Sequence, residues 1–469
     1  MTTLDDLLTG AGDHPTLLVD GEGRLSSPDV HDLVARIAGG LASRGVGPGD
    51  VVAWQMPNRI EGVLLFRACW RLGAVAAPVH HLAGESDVAA MLGQVPPRLV
   101  VTEADLDALG RGEPVTDPHA ERDDLAAVIF TSGSAGAPKA VLHTHRTLAA
   151  KATAMRDVHG LTSDDAVLMP APLAHVSGLL NGVLVPGTVP FTTVLMAKWD
   201  PDEAVHLVEA ERVTFMVGPP TFFVGLMESP QFTPERVASL RLVSSGGSGV
   251  TPAFVERAAR TLSARVKRTY GSSEAPTVAT SYQGDDPGRA STTDGRATPG
   301  TELRVVDPVS GEGRAPGEPG ELWVRGPEVF VGYADGEATR EAFADGGWFR
   351  TGDLATLDAD GWLTIVGRLK DVIIRGGENI AAAEVEAVLE AHPVVSQAVA
   401  VGEPDERLGE RVAAFVVADG AFDLDACRAW FDEQGVAKFK TPERVVVVDA
   451  LPLLPAGKPD RAALRARLT

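Results

Sequence analysis

Residues 126–145 read AAVIFTSGSAGAPKAVLHTH, and this is the most informative stretch of the chain. An apolar run leads into Thr131 and then into a loop of serine and glycine that ends at Lys139. Glycines let a backbone approach phosphate oxygens closely, hydroxyls add hydrogen-bond donors, and one lysine adds positive charge. The stretch therefore predicts a buried strand followed by a phosphate-binding loop, with a plain surface turn as the alternative. The contributing residues are Thr131, Ser132, Gly133, Ser134, Gly136 and Lys139.

The regions around this loop alternate between short β-rich runs and longer segments with apolar residues at helical spacing. Runs of the first kind are VVAWQM (51–56), VTFMVGPP (213–220) and LRLVSSGG (240–247). Segments of the second kind are VHDLVARIAGGLASRG (30–45) and EGVLLFRACWRLGAV (61–75). Strand, glycine turn and helix in repeated order predict an α/β fold with several layers and largely parallel sheets.

The sequence pattern changes near residue 300. Antiparallel strands are expected after this point, with a turn at residues 358–361. After Gly367 a compact mixed region follows, with expected helices at residues 381–392 and 424–435. We therefore predict a large N-terminal α/β body with a β-rich subdomain, residues 1–366. A small α+β C-terminal domain, residues 367–469, is expected to be mobile.

The composition excludes several classes of protein. The chain has 469 residues, 44% of them hydrophobic, and a formal net charge of −22, which argues against binding to nucleic acid or to an anionic membrane. Its two cysteines form neither a disulfide framework nor a zinc motif. Residues 1–15 do not resemble a signal peptide, and no apolar run approaches 18 residues. We expect a cytoplasmic enzyme, monomeric or homodimeric.

Two common catalytic motifs are missing from the sequence. The phosphate loop lacks the GxxxxGK(S/T) spacing of the P-loop NTPases. Neither GGSGV (246–250) nor YGSSE (270–274) completes the GxSxG motif of serine hydrolases, so a serine hydrolase has little support.

The phosphate loop resembles the signature loop of the adenylate-forming superfamily, which includes acyl-CoA synthetases, adenylation domains and luciferases. Ala135 and Ala140 depart from that pattern, where a hydroxyl residue and a glycine are usual. Four more segments resemble the family's motifs in the same order, and the resemblance covers essentially the whole chain, from Asn58 to its end. These segments are YGSSE (270–274), WFRTGDL (348–354), GRLKD (367–371) and PAGKPDR (455–461).

The resemblance implies an ATP site with a bound Mg²⁺ ion. Tyr270 would stack on adenine, Ser273 would touch the α-phosphate, and Glu274 would help to hold Mg²⁺. Lys139 would bind the β- and γ-phosphates, and Asp353 the ribose hydroxyls. The backbone of Gly246, Gly247 and Ser248, at the end of a β-run, is expected to lie beside adenine. A simple strand-end turn is the alternative. The remaining predicted ATP-binding residues are Gly271 and Arg368.

The resemblance also implies a reaction in two steps. Attack of a carboxylate on the α-phosphate of ATP brings two anions together, so positive charge must gather at the reacting centre. Lys458 is the candidate for bridging the acid and the α-phosphate. The C-terminal domain would then turn about the hinge residue Lys370 and open a channel for an acceptor thiol. The candidate channel residues are Gly376, Gly377, Glu378 and Lys438.

The acid is expected to be a simple carboxylic acid. His175 lies in PLAHVSG (172–178), which resembles the acid-side segment of acyl- and aryl-CoA ligases, although a structural histidine fits the pattern too. Thr269 replaces a glycine common in ligases with open pockets and hints at a narrower acyl pocket. Residues 179–191 contain no aspartate that would bind the ammonium group of an amino acid.

Three functional hypotheses follow. The first is a carboxylate–CoA ligase that uses ATP, Mg²⁺ and CoA. The second keeps the acyl-adenylate but transfers the acyl group to a carrier-protein thiol or another nucleophile. Its basis is GENIAAAEVE (377–386), where alanines stand at 381 and 382 in place of the tyrosine and proline frequent in CoA ligases. The third is a non-catalytic nucleotide-binding protein, which the presence of Lys139, Glu274, Asp353 and Lys458 argues against.

Overall fold

The computed structural model describes residues 3–131, 138–247, 249–376, 378–453 and 459–468, without the side chain of Asn379. The chain divides into two compact units. The first unit comprises Met1–Glu302 and Val324–Phe349, and the second comprises Leu303–Trp323 and Arg350–Thr469. The predicted boundary between residues 366 and 367 falls within the second unit and stays a prediction. Along the described ranges, no helix is both long enough and apolar enough to cross a membrane.

The strands of the described residues, β1 to β25 in chain order, are Leu18–Val19, Arg24–Leu25, Val51–Gln55, Val75–Val79, Leu99–Val101, Leu125–Phe130, Ala140–Thr144, Ala166–Met169, Thr192–Leu195, Phe215–Gly218, Leu242–Gly246, Arg265–Tyr270, Ala279–Thr280, Gly295–Ala297, Glu302–Val306, Gly320–Arg325, Gly332–Tyr333, Phe343–Ala344, Trp348–Leu357, Trp362–Arg368, Val372–Arg375, Glu378–Ala381, Val395–Asp405, Gly409–Ala418 and Arg444–Val447.

The α-helices of the described residues, α1 to α16, are Leu4–Thr9, Ser27–Ser43, Ile60–Leu72, Glu85–Gln94, Glu103–Leu109, His145–His159, Val176–Gly178, Val185–Thr188, Pro201–Ala210, Pro220–Glu228, Pro252–Leu262, Pro287–Thr292, Gly336–Ala342, Ala382–Glu390, Leu424–Glu433 and Arg461–Ala466. A π-helical turn, Leu179–Leu184, joins α7 to α8, and 3₁₀ turns lie at Leu369–Asp371 and Lys438–Lys440.

Local sequence signals set the limits of the predicted helices. The helix expected at residues 30–45 is α2, which begins after Ser26, where Ser26 and Asp29 form a reciprocal capping box. The helix expected at residues 61–75 is α3, which ends at Gly73 in a left-handed conformation (φ +70°). A left-handed residue at this position is favourable for glycine because it has no Cβ.

One sheet of the first unit carries the phosphate loop. Its strand order is β17-β7-β6-β4-β3-β5. The pairs β6–β4, β4–β3 and β3–β5 are parallel, whereas β7 is antiparallel to β6. Its core includes the fully buried Ala53, Ala77 and Ala140. The phosphate loop leaves from the carboxyl end of β6, the end at which open parallel sheets bind ligands.

A second sheet of this unit has the order β14-β13-β12-β11-β10-β8-β9-β1-β2. Strands β8 to β12 are parallel to their neighbours within this group, whereas β13 is antiparallel to β12. Helices α9, α10 and α11 bury Val205, Phe223 and Val255 against one apolar cluster of this sheet. Gly246 and Tyr270, two of the predicted adenine-side residues, are the last residues of β11 and β12.

The second unit contains two groups of strands. The first has the order β15-β16-β19-β20, and the turn expected at residues 358–361 joins β19 to β20 through a hydrogen bond from Asp358 N to Trp362 O. The second has the order β22-β21-β24-β23, with β25 beside β24. Helices α14 and α15 bury Leu389 and Phe431 against it.

Candidate active site

Hydrogen bonds join the two ends of the predicted phosphate loop. Thr131 N donates to Lys139 O at 3.0 Å, and Lys139 N donates to Thr131 Oγ1 at 3.2 Å. Gln94 of α4 holds the same end of the loop, since its Nε2 donates to Pro138 O at 2.7 Å and its Oε1 accepts from Ala140 N at 3.2 Å. The base of the loop is therefore fixed. The predicted Ser132, Gly133, Ser134 and Gly136 lie outside the described residues.

Tyr333 links the predicted lysine and glutamate of the site. Its hydroxyl donates to Glu274 Oε1 at 2.8 Å, and Lys139 Nζ lies 4.6 Å from the centre of its ring. Burial, and then the charge of Glu274, raise the pKa of the Tyr333 phenol, which therefore stays protonated as a donor. Tyr333 was not among the site residues predicted from sequence, although it is one of only three tyrosines in the chain.

The contact between Lys139 and Tyr333 is weak enough to be exchanged for a ligand. An exposed cation–π contact is worth about 0.5–1 kcal/mol. A hydrogen bond to a charged group is worth about 1.5–3 kcal/mol. The exposed Lys139 ammonium would therefore gain free energy by leaving the ring for a phosphate oxygen.

Glu274 lies in a tight loop that follows β12. A Cβ on Gly271 would lie 2.2 Å from Thr277 N, so the two ends of the loop touch. His143 Nε2 lies 2.7 Å from Ser273 O, and burial lowers the pKa of His143 to about 4. The neutral imidazole therefore contacts the backbone one residue before Glu274, while Tyr333 contacts the carboxylate itself.

Replacing Gly271 with alanine tests this packing. The new Cβ cannot fit without moving the loop, so we expect a loss of about 1–3 kcal/mol in the free energy of unfolding and a weaker response to Mg²⁺. Thermal unfolding and Mg²⁺-dependent pyrophosphate release would measure the two effects. Gly284→Ala is the matched control, because its Cβ would meet no atom within 4 Å. Equal behaviour of the two variants would contradict the prediction.

The adenine-side residues lie on neighbouring strands. Gly246 of β11 pairs with Thr269 of β12, and a Cβ on Gly246 would lie 2.4 Å from Thr269 O. Gly247 follows with φ +81° in open space, and Tyr270 ends β12. The structure thus brings Gly246, Thr269 and Tyr270 to one edge of the sheet. Ser248 lies outside the described residues.

His175 begins the helical turn α7, where its Nδ1 accepts from Ser177 N at 3.3 Å. Asn58 fixes the segment before it, because its Nδ2 donates to Met169 O and Ala171 O and its Oδ1 accepts from Leu173 N at 2.9 Å. A π-helical turn follows at Leu179–Leu184, a feature frequent at functional sites. The predicted roles of His175 and Thr269 at the acid stay predictions.

In the second unit, Asp353 and Arg368 are direct partners. They pair across β19 and β20, and Arg368 Nε lies 3.3 Å from Asp353 Oδ1. Asp353 is buried, and its backbone N–H donates to Thr351 Oγ1 at 3.1 Å. Two predicted ATP-binding residues therefore lie in contact.

The predicted hinge and the segment after the predicted catalytic lysine are also linked. Burial, and then the positive charge of Arg368, lower the pKa of Lys370. Asp371 is the next residue, and its Oδ2 lies 3.6 Å from Arg461 Nε. Arg461 also binds Glu386 through NH1 at 2.6 Å and NH2 at 3.0 Å. Lys458 itself lies outside the described residues.

The predicted acceptor residues lie on the β21–β22 hairpin and on the 3₁₀ turn at Lys438–Lys440. Gly376 has φ +58°, and its N–H donates to Leu408 O at 2.7 Å. Glu378 and Lys438 are exposed, whereas Lys440 Nζ pairs with Glu384 Oε2 at 2.7 Å. Gly377 lies outside the described residues.

The carboxylate of Glu274 fits an Mg²⁺ ion that arrives with ATP. Mg²⁺ is usually bound through one or two carboxylates together with substrate phosphates. Tyr333 donates to one oxygen of Glu274, and the second oxygen would give such an ion one hard ligand. In the described ranges, no group of three or more His, Cys, Asp or Glu side chains is arranged to hold a metal.

Comparison with known proteins identifies the class to which this arrangement belongs. Residues 8–121 and 104–334 match the AMP-binding enzyme family, and residues 384–458 match the AMP-binding enzyme C-terminal domain. Medium-chain fatty-acid–CoA ligase of Escherichia coli (strain K12) is 33% identical, covering 96% of this chain and 87% of that protein. Feruloyl-CoA synthase of an Amycolatopsis species is 35% identical, covering 97% of this chain and 96% of that protein.

The fold supports the same assignment. The crystal structure of ATP-bound MatB from Rhodopseudomonas palustris superposes with a TM-score of 0.93 at 29% identity, covering 99% of this chain and 98% of that one. Fold and motifs together define an AMP-forming acid–thiol ligase. The chain belongs to the AMP-binding enzyme family. The predicted resemblance, the α/β fold class and the ligase activity are confirmed.

Proposed function

We propose that this chain uses MgATP to convert a small carboxylic acid to an acyl-adenylate and then transfers the acyl group to the thiol of CoA. The observation that carries the proposal is the cluster of Lys139, Tyr333 and Glu274 beside the fixed base of the phosphate loop. The cluster offers an ammonium group for phosphate oxygens and a carboxylate for Mg²⁺. Both are needed when pyrophosphate leaves.

In the first step a carboxylate oxygen attacks the α-phosphorus, and the bond from that phosphorus to the bridging oxygen of pyrophosphate breaks. Lys139 stabilises the negative charge on the leaving pyrophosphate, and Glu274 would hold an Mg²⁺ ion, which would supply further positive charge there. Tyr270 and Gly246 bind the adenine side, and Asp353 binds the ribose. Lys458 holds the attacking carboxylate and the α-phosphate together.

In the second step the thiol sulfur attacks the acyl carbon, its proton passes to solvent, and AMP leaves. The hairpin that contains Gly376 and Glu378, together with the exposed Lys438, is proposed to guide the thiol. Lys370 is the proposed hinge of a mobile domain at residues 367–469. His175 and Thr269 are proposed to line the acid site.

A carrier-protein thiol or another nucleophile is the second candidate acceptor. The observation that favours it is the pair Ala381 and Ala382, which follows the proposed thiol channel and is buried without an aromatic ring or a proline. Because the proposed adenylation residues are the same for both acceptors, only the second step separates them.

A panel of aliphatic and aryl carboxylic acids, with amino acids as the negative set, tests the proposal. We expect acid-dependent release of pyrophosphate, followed by a thioester when CoA is added. Mass spectrometry would identify acyl-AMP without CoA and acyl-CoA with it. A thioester only on an added carrier protein would favour the second acceptor, and ATP binding without pyrophosphate release for any acid would contradict adenylation.

A further inference from the structure

A buried ion pair lies beneath the Glu274 loop. Lys151 of α6 and Glu328 are each 1% exposed, and Lys151 Nζ lies 3.4 Å from Glu328 Oε1. Lys151 Nζ also donates to Thr298 Oγ1 at 2.6 Å and to Thr277 O at 3.0 Å. Removing two charges from water is costly, and such pairs are often no more stabilising than apolar residues of the same size. A role beyond stability would account for the pair.

One end of the pair holds the loop that carries Glu274. Thr277 closes that loop, and it has φ +41°, a strained conformation for a β-branched residue. The Lys151 ammonium binds the carbonyl of this strained residue. It therefore opposes relaxation of the backbone three residues after the carboxylate.

The other end of the pair holds the segment that carries Tyr333. Glu328 accepts a hydrogen bond from Thr301 Oγ1 and packs against Gly326, where a Cβ would lie 2.4 Å from Glu328 Oε2. Two residues later, Phe330 N donates to Glu274 O at 2.8 Å. Tyr333 then reaches Glu274 Oε1. The ion pair thus joins the two segments that meet at Glu274.

We propose that Lys151 and Glu328 are positioning residues that hold the Glu274 carboxylate in the geometry needed for the Mg²⁺ ion of MgATP. The inference rests on the proposed function, because it takes Glu274 as the Mg²⁺ ligand. Partners that orient a metal-binding group contribute about 10- to 100-fold to metal affinity or activity.

The test compares wild-type protein with Lys151→Met/Glu328→Gln, which removes both charges together and leaves no unpaired buried charge. The readouts are the rise in unfolding temperature caused by MgATP, compared with ATP plus EDTA, and the Mg²⁺ concentration for half-maximal pyrophosphate release. We expect the Mg²⁺-dependent part of the thermal shift to be lost and the half-maximal concentration to rise about tenfold. KM for the acid should not change.

Two further variants make the result specific. Glu328→Gln alone leaves Lys151 bound to Thr277 and should show a smaller change of the same kind. Asp5→Asn/Arg71→Met removes another buried ion pair of the first unit, whose Arg71 Nε lies 3.0 Å from Asp5 Oδ1. This control should lower stability without altering the Mg²⁺-dependent shift.

Wild-type Mg²⁺ dependence in Lys151→Met/Glu328→Gln would overturn the inference. Equal loss of the shift in the Asp5/Arg71 control would overturn it as well, because the effect would then be one of general stability. If wild-type protein itself showed no MgATP shift and no pyrophosphate release, the proposed function would fail first, and this inference would fall with it.

Discussion

Glu274→Gln should lower kcat/KM for MgATP-dependent pyrophosphate release by about 100-fold, which corresponds to about 2.7 kcal/mol of transition-state stabilisation. The substitution keeps the size of the side chain but removes its charge. Mg²⁺ is usually bound through one or two carboxylates together with substrate phosphates, and the carboxylate of Glu274 is the protein ligand proposed for it. Raising the Mg²⁺ concentration should restore part of the rate, because the ion still binds the phosphates of ATP.

The fold should tolerate this change. The amide oxygen of glutamine accepts the hydrogen bond that Tyr333 gives to Glu274 Oε1 in the native protein. The unfolding temperature without nucleotide should therefore stay close to that of the wild type. Tyr333→Phe is the matched control, since it removes the hydrogen bond and keeps the charge, and its rate should fall less. A smaller loss in Glu274→Gln than in Tyr333→Phe would show that the hydroxyl, and not the charge, matters.

Lys458→Ala should lower the rate of acyl-adenylate formation by about 100- to 1,000-fold, the usual effect of removing one preorganised group that stabilises transition-state charge. The physical reason is that an anionic acid must approach an anionic phosphate in a protein of net charge −22. Local positive charge at the reacting centre offsets that repulsion. Single-turnover release of pyrophosphate, with acyl-AMP identified by mass spectrometry, would measure the effect.

The described residues on either side of Lys458 have contacts of their own that do not involve its ammonium group. Leu453 and Pro459 form an antiparallel bridge, and Asp460 N donates to Pro452 O at 2.8 Å. Lys458→Ala should therefore unfold at the wild-type temperature. Lys198→Ala, which removes an exposed lysine of the first unit, is the control and should retain full activity. Unchanged adenylation in Lys458→Ala would assign the catalytic ammonium elsewhere or favour a non-catalytic nucleotide-binding protein.

The sequence could predict the features that depend on neighbouring residues. The apolar run before Thr131 became a buried strand, and the helices expected at residues 30–45 and 61–75 formed within a few residues of their expected limits. The turn at residues 358–361 formed where it was expected. The motif order pointed to the family because each motif is local. The roles of the individual site residues stay predictions.

Residues close together in the chain already specify the class of fold, the family and the residue types that carry the chemistry, because helical and strand periodicity, helix caps and glycine turns depend on neighbouring positions. The contact of Tyr333 with Glu274, 59 residues earlier, and the pairing of Lys151 with Glu328 depend instead on how the chain folds. Neither the secondary-structure propensity of these residues nor their spacing along the chain predicts such contacts. They arise when sheet packing brings distant segments together and each buried polar group requires a partner.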